Sequence, residues 1–331
     1  MKIHCSRAGG NGAILASALL AAVCVISAPV AAQDYPTQAI RIIVPYPPAG
    51  STDITARRYA DVLSKDLGQS VVIENRPGAL TNIGNDAAAA AKPDGYTLLF
   101  GANGLVQNPV FGPAPSYDPM KSLDPISLVA RLPFLVAANT KTPFSNAKEL
   151  IAAAKAAPGK LTISSAQLDV YVEMMKLRAD INLLHIPYKG GAPATTDAIS
   201  GQVDMVYALV PVLLPHVQSG RLKALGVTSA KRVEVLPSVG TFTELGIDYD
   251  ISVWFGMLAP AGTPKPIIDK LARATQQIVA QADFAQRLRA TGAEPVSSQP
   301  EEFRAEMRRE AVMWQQLAKR LPSLVQTTTN K

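Results

Sequence analysis

Cysteine is nearly absent from this 331-residue sequence: there are two, Cys5 and Cys24, and both fall within the first 32 residues. Those residues read as an export signal. Lys2 and Arg7 charge the start, Ala13 to Ile26 is almost wholly apolar, and Val30-Ala31-Ala32 offers the small residues that a signal peptidase reads. A retained membrane anchor is the competing reading of the same apolar stretch. Pro29 and the small-residue exit favour cleavage after Ala32, leaving Gln33 as the new N-terminus. Cys24 follows Val23 inside the apolar run and does not suit lipidation. The expected mature chain therefore has no thiol, which excludes disulfides, a cysteine nucleophile and a thiolate metal site.

Histidine is also scarce. Only His185 and His216 lie beyond the signal, in different segments and without an H-x-x-x-H spacing, so no metal site is expected. Neither a G-x-S-x-G elbow nor a G-x-x-x-x-G-K-[ST] loop is present, and no G-x-G-x-x-G follows a strand pattern. Carboxylates are scattered, so no acid–base pair stands out. No catalytic residue and no cofactor are expected. Basic blocks interleaved with aromatics are missing, and the net charge of +6 falls by two when Lys2 and Arg7 leave. Nucleic-acid binding has no support.

What is present is an alternation of short β-branched runs with Ala-rich amphipathic stretches, the signature of an α/β fold with mostly parallel strands. Ile40–Val44, Val71–Ile73 and Tyr96–Phe100 read as strands, separated by helices over Ile54–Leu67 and Ile83–Ala91. Asn108 to Pro125 is Pro-rich and lacks periodicity. The rhythm restarts with helices at Asn146–Ala157, Val170–Ala179, Ala194–Ser200 and Val212–Ser219. Between and after them lie strands at Leu161–Ile163, Leu183–Ile186, Val203–Tyr207 and Leu222–Val227. A strand-like Ile251–Leu258 precedes helices over Pro264–Ala280, Phe284–Ala290 and Glu301–Leu321, the last with Trp314 on its apolar face.

Four loops carry the candidate chemistry, each after a strand, where an α/β sheet presents ligands to the unpaired N–H groups of the next helix. The first, Pro45-Tyr46-Pro47-Pro48-Ala49-Gly50-Ser51-Thr52-Asp53, combines stiffening prolines, Gly50 and two hydroxyls, which suits a carboxylate. It reads equally well as a capped turn with Ser51 or Thr52 at the N-cap and Asp53 in a structural role. The others are Arg76 to Gly84, Gly101-Ala102-Asn103-Gly104, and Pro187-Tyr188-Lys189-Gly190-Gly191. Lys189 reads either as a ligand charge or as an exposed surface lysine, and His185, in an apolar strand, as a hydrogen-bonded structural residue.

These segments resemble the Bug family, the periplasmic receptors of tripartite tricarboxylate transporters. The resemblance is carried by Tyr35-Pro36, Val44 to Asp53, Val72-Ile73-Glu74-Asn75-Arg76-Pro77-Gly78-Ala79 and Lys92-Pro93-Asp94-Gly95-Tyr96-Thr97. It continues through His185-Ile186-Pro187-Tyr188-Lys189-Gly190, Leu225 to Arg232 and Trp254 to Pro264. It implies a two-domain periplasmic binding protein of the type II-like α/β class with an interdomain cleft. On that resemblance, residues 33–135 with 252–331 form one domain and 136–251 the other, crossing near Arg131 to Ala138 and Tyr249 to Leu258.

It further implies that Tyr46, Ser51, Thr52, Ala79, Thr81, Asn82 and Asn103 face a ligand carboxylate, with Ser165, Tyr188 and Ala208 across the cleft. The implied partners are a small carboxylate and the membrane permease subunits, with the receptor a monomer. A receptor for a membrane sensor kinase and an enzyme on the same scaffold are the alternatives. Three departures bear on the ligand. The loop after Ser164-Ser165 is shorter and more apolar than in relatives, Ala208-Leu209 stands where they often carry Asp-Asn, and Ala79-Leu80-Thr81 replaces small glycines.

Overall fold

The computed structural model describes residues 1–4, 35–166 and 168–325. The apolar core of the expected signal, its cleavage point after Ala32 and Gln33 lie outside the described residues. The chain forms two compact units, Met1–Thr37 and Gln38–Lys331, and the architecture below is that of the second. Among the described residues, no helix is long and apolar enough to cross a membrane.

The first part alternates β1 (Ile40–Val44), α1 (Ser51–Leu67), β2 (Val71–Asn75), α2 (Asn82–Ala89), β3 (Thr97–Ala102) and α3 (Gly104–Phe111). In β1 only Arg41 is exposed, as expected of a strand covered on both faces. Gly68 ends α1 with φ of 65°, a left-handed turn that costs glycine little. The three strands pair in parallel in the order β2-β1-β3. The stretch from Asn108 to Pro125, expected to be irregular, instead begins within α3 and ends within β4 (Leu123–Asn139). Pro109 inside α3 concealed that helix in the sequence pattern.

The second part runs α4 (Ala147–Ala156), β5 (Thr162–Ala166), α5 (Asp169–Ala179), β6 (Leu184–Tyr188), α6 (Gly191–Ser200), β7 (Met205–Leu209), α7 (Val210–Gln218) and β8 (Leu222–Val227). The chain closes with β9 (Ser252–Pro260), α8 (Lys265–Ala280), α9 (Ala282–Arg289), the short β10 (Glu294–Pro295) and α10 (Pro300–Arg320). The full path is β2-β1-β3-β9-β4-β7-β5-β6, with β8 and β10 also pairing β4. The strands are thus parallel within two triplets, whereas β4, β8 and β9 run antiparallel.

The 17-residue β4 joins the two sheets. As far as Pro133 it pairs with β9, and from Phe134 onward with β7, and from Leu135 with β8. α10 is held against β9 by Phe303, whose ring meets Trp254 edge-on at 4.9 Å and lies over Gly256, where a Cβ would come within 2.5 Å of it. Farther along α10, Glu306 pairs with Arg131 of β4, and Glu310 accepts a 2.9 Å hydrogen bond from the Trp254 indole.

Burial raises the Glu310 carboxyl to about 8, and the neighbouring Glu306 adds to the effect. A folded-state value above the unfolded one means that the native state binds the extra proton between roughly pH 4.5 and 8. Stability from this group is therefore present at low pH and lost as pH rises through 8. We expect unfolding free energy to fall by up to about 1.4 kcal/mol per pH unit across that window. Denaturant titrations of Glu310→Gln should lack that slope; an unchanged slope would assign it to another group.

Candidate functional site

Sheet register sets where a site can form. The carboxyl end of β3, at Ala102, lies in the row of Phe255 and Ala130, and the carboxyl end of β7, at Leu209, pairs with Phe134. Four residues of β4 separate these rows, about 13 Å at about 3.3 Å per residue. Because β1 and β2 run parallel to β3, and β5 and β6 parallel to β7, the carboxyl edges of both triplets face each other across the β4 crossover. All four candidate loops leave from those edges.

In the first loop the helix start is uncapped. Gly50, rather than Ser51 or Thr52, occupies the N-cap of α1, and no side chain caps its N–H groups. Asp53 does not cap either. It is buried and accepts hydrogen bonds from the Ala49 N–H (2.9 Å), Asn75 Nδ2 (2.8 Å) and Arg57 Nε (3.0 Å). Burial works against its charge, but Arg57, the Ala49 N–H and Asn75 outweigh it and hold the carboxyl below its usual range. Asp53 thereby ties the first loop and α1 to β2. The hydroxyls of Ser51 and Thr52 have no hydrogen-bond partner among the described residues, and the N–H groups of a helix's first turn have none within the helix. Free N–H groups and hydroxyls at a helix start are chemically able to hold an anion.

Tyr46 is half-buried, with its carbonyl held by Asn75 Nδ2 at 3.1 Å. Its Oη lies 3.3 Å from where a Cβ on Gly104 would stand, and burial pushes its phenol far above the ordinary tyrosine value. In the second loop Ala79, Leu80 and Thr81 all have positive φ (46°, 52° and 78°). Glycine is the residue suited to that region, and each side chain there costs about 1–2 kcal/mol. A polar scaffold holds this strained turn. Thr81 Oγ1 accepts from Asn85 and Asn108 Nδ2, Asn108 also donates to the Leu80 carbonyl, and Asn82 Nδ2 donates to the Pro113 carbonyl. Tyr117 closes the network by hydrogen bonding with Asn85 (3.0 Å) and Asn82 (3.4 Å).

Asn103 is buried, and its Nδ2 donates to Tyr171 Oη at 2.8 Å. Tyr171 belongs to α5, so this bond connects the two triplets directly. On the far side Ser165 is fully buried with Oγ 2.8 Å from His185 Nε2, and Tyr188 donates to Asp197. Ala208 packs in the apolar cluster of Leu135, Val206 and Val210, and Lys189 is exposed. His185 is thus hydrogen-bonded, with Asp169 Oδ1 at 3.6 Å on the same nitrogen. Burial lowers its pKa, with Asp169 and Glu173 acting against that shift. Among the described residues, no three His, Cys, Asp or Glu side chains gather as a metal site.

Sequence reading did not single out Tyr171, Gln107 (whose Oε1 accepts from the Tyr171 hydroxyl at 2.7 Å), Asn108, Tyr117 or Phe134. The nearest signal was the short connection after Ser165, which brings the first turn of α5 close to the end of β5.

A model of the tripartite tricarboxylate transporter family receptor matches residues 55–322. Protein BugT of Bordetella pertussis is 36% identical over 296 residues, 87% of this chain and 91% of that protein. A Rhodopseudomonas palustris protein solved with adipate is 31% identical, with a TM-score of 0.75 over 86% of this chain and 97% of that one. MatC of the same organism, solved with bound malate, is 28% identical, with a TM-score of 0.70 over 86% and 99%. The two parallel triplets joined by β4 and β9 are the two-domain α/β fold of periplasmic binding proteins, and the chain belongs to the tripartite tricarboxylate transporter receptor family.

Proposed function

We propose that this protein is a periplasmic receptor that captures a small carboxylate between its two sheets and delivers it to the membrane permease of a tripartite tricarboxylate transporter. The observation that carries the reading is the uncapped start of α1, where Ser51, Thr52 and first-turn N–H groups have no side-chain partner at the edge facing the second sheet. Adipate and malate in the two relatives support the ligand class. Residues 33–135 with 252–331 act as one lobe and 136–251 as the other, closing about β4 and β9 as a monomer. The solute leaves unchanged: the hydroxyl–imidazole contact of Ser165 with His185 keeps its serine fully buried, out of a solute's reach.

The ligand is an aliphatic or aromatic carboxylate without an amine. A buried ammonium needs a free carboxylate partner; at the carboxyl edges Asp53 and Asp197 are engaged, and Asp169, whose Oδ1 has no hydrogen bond, lies 3.6 Å from the His185 ring nitrogen. Asp197 accepts from Tyr188, and Asp53 from Arg57 and Asn75. Ala208 adds an apolar wall. A thermal-shift panel of amino acids, citrate, aliphatic diacids and benzoate-type acids tests this. Stabilisation by the diacids or aromatic acids is expected; stabilisation by aspartate or glutamate alone would overturn the ligand class. N-terminal sequencing of protein taken from the periplasm should begin at Gln33, and a chain still starting at Met1 would contradict export by cleavage.

A further inference from the structure

Tyr171 is the third residue of α5, and only residues 167 and 168 separate that helix from β5. Its ring is buried between Phe134 (centroids 4.8 Å) and Trp314 (5.3 Å, edge-on). Phe134 stacks in turn on Tyr207 at 4.9 Å, and Trp314 meets Phe111 of α3 at 6.1 Å. Five aromatic rings thus run from β7 through the β4 crossover to α10 and α3. The Tyr171 hydroxyl ends in the loop after β3, where it accepts from Asn103 Nδ2 (2.8 Å) and donates to Gln107 Oε1 (2.7 Å). Its backbone carbonyl is held by Tyr249 Oη at 2.7 Å. Swinging the phenol aside would break both hydroxyl bonds and disrupt the contacts with Phe134 and Trp314 together.

We propose that Tyr171 is a specificity-determining residue that sets the length of solute the cleft accepts. It fills the Asn103 end of the space between the two carboxyl edges and engages an amide that would otherwise face the ligand. A short carboxylate anchored at the start of α1 fits in front of the ring, whereas one long enough to reach α5 meets it. This inference rests on the carboxylate-receptor reading above and adds a limit that the reading does not require.

Calorimetric titration of malonate, succinate, glutarate, adipate and pimelate into wild type, Tyr171→Ala and Tyr171→Phe tests it. The wild type should bind the short diacids and lose at least tenfold in affinity by pimelate. Tyr171→Ala should improve the pimelate-to-succinate affinity ratio at least tenfold. Tyr171→Phe, which keeps the ring, should preserve the wild-type order of chain lengths. A merely structural role would weaken all diacids alike and leave that order unchanged in the alanine variant, which would overturn the proposal. If Tyr171→Ala does not fold, Tyr171→Leu gives the same readout with a smaller expected shift. A wild type that binds diacids of every length equally would sink the length limit alone; a wild type that binds no carboxylate in the series or in the thermal-shift panel would sink the receptor reading and this inference with it.

Discussion

Trp314→Ala is expected to lower the unfolding free energy by about 3–5 kcal/mol, the usual cost of emptying a large aromatic site in a core. Trp314 is 1% exposed and makes edge-on contacts with both Tyr171 and Phe111, so its removal takes support from α5 and α3 together. Its indole N–H is buried without a hydrogen-bond partner, so the substitution gives up apolar contact and no polar bond. Chemical denaturation monitored by circular dichroism reads the change. A loss below about 1 kcal/mol would mean that the surroundings collapse into the space and that the aromatic column is not a structural unit.

Gly84→Ala should be the most damaging single-methyl change near the site. A Cβ at Gly84 would stand 2.7 Å from the Arg76 carbonyl oxygen, 2.7 Å from Pro45 Cβ and 2.8 Å from Pro45 Cα. Two of these neighbours are backbone atoms that cannot rotate away, and they are the roots of the first two loops. α2 would have to back off the sheet, at a cost of about 1–3 kcal/mol for overpacking. Ligand affinity should fall at the same time, because both loops shift. Affinity and stability equal to wild type would show that α2 can slide without disturbing the loops.

The sequence made the regular parts of the fold legible. Ile40–Val44 and Leu222–Val227 are short β-branched or apolar runs bounded by turn residues, and the structure has strands at both. β4 was harder to read because prolines interrupt it. Pro125 sits beside a register shift against β9, and Pro133 ends that pairing just before the strand changes partners, the irregular positions at which a strand tolerates proline. The loops after β1, β2 and β3 were legible as a candidate site from their Pro, Gly and hydroxyl content. The capping reading of Ser51 and Thr52 was not met, since Gly50 takes the cap position. The Asn103–Tyr171 bond spans 68 positions and leaves no local periodic trace. Only the packing of α5 against the β3 loop reveals it.

If the first turn of α1 anchors the carboxylate, Thr52→Pro should weaken binding. Proline is compatible with a helix's first turn, so the substitution removes one N–H and one hydroxyl while leaving the helix able to form. Thr52→Val, which removes the hydroxyl alone, separates the two contributions. Isothermal titration with the diacid that most stabilises the wild type should show affinity reduced by about 1–3 kcal/mol in Thr52→Pro, the cost of an unmade hydrogen bond to a charged group, and by less in Thr52→Val. Wild-type affinity in Thr52→Pro, with the fold intact by circular dichroism, would contradict the account and move the anchor away from α1.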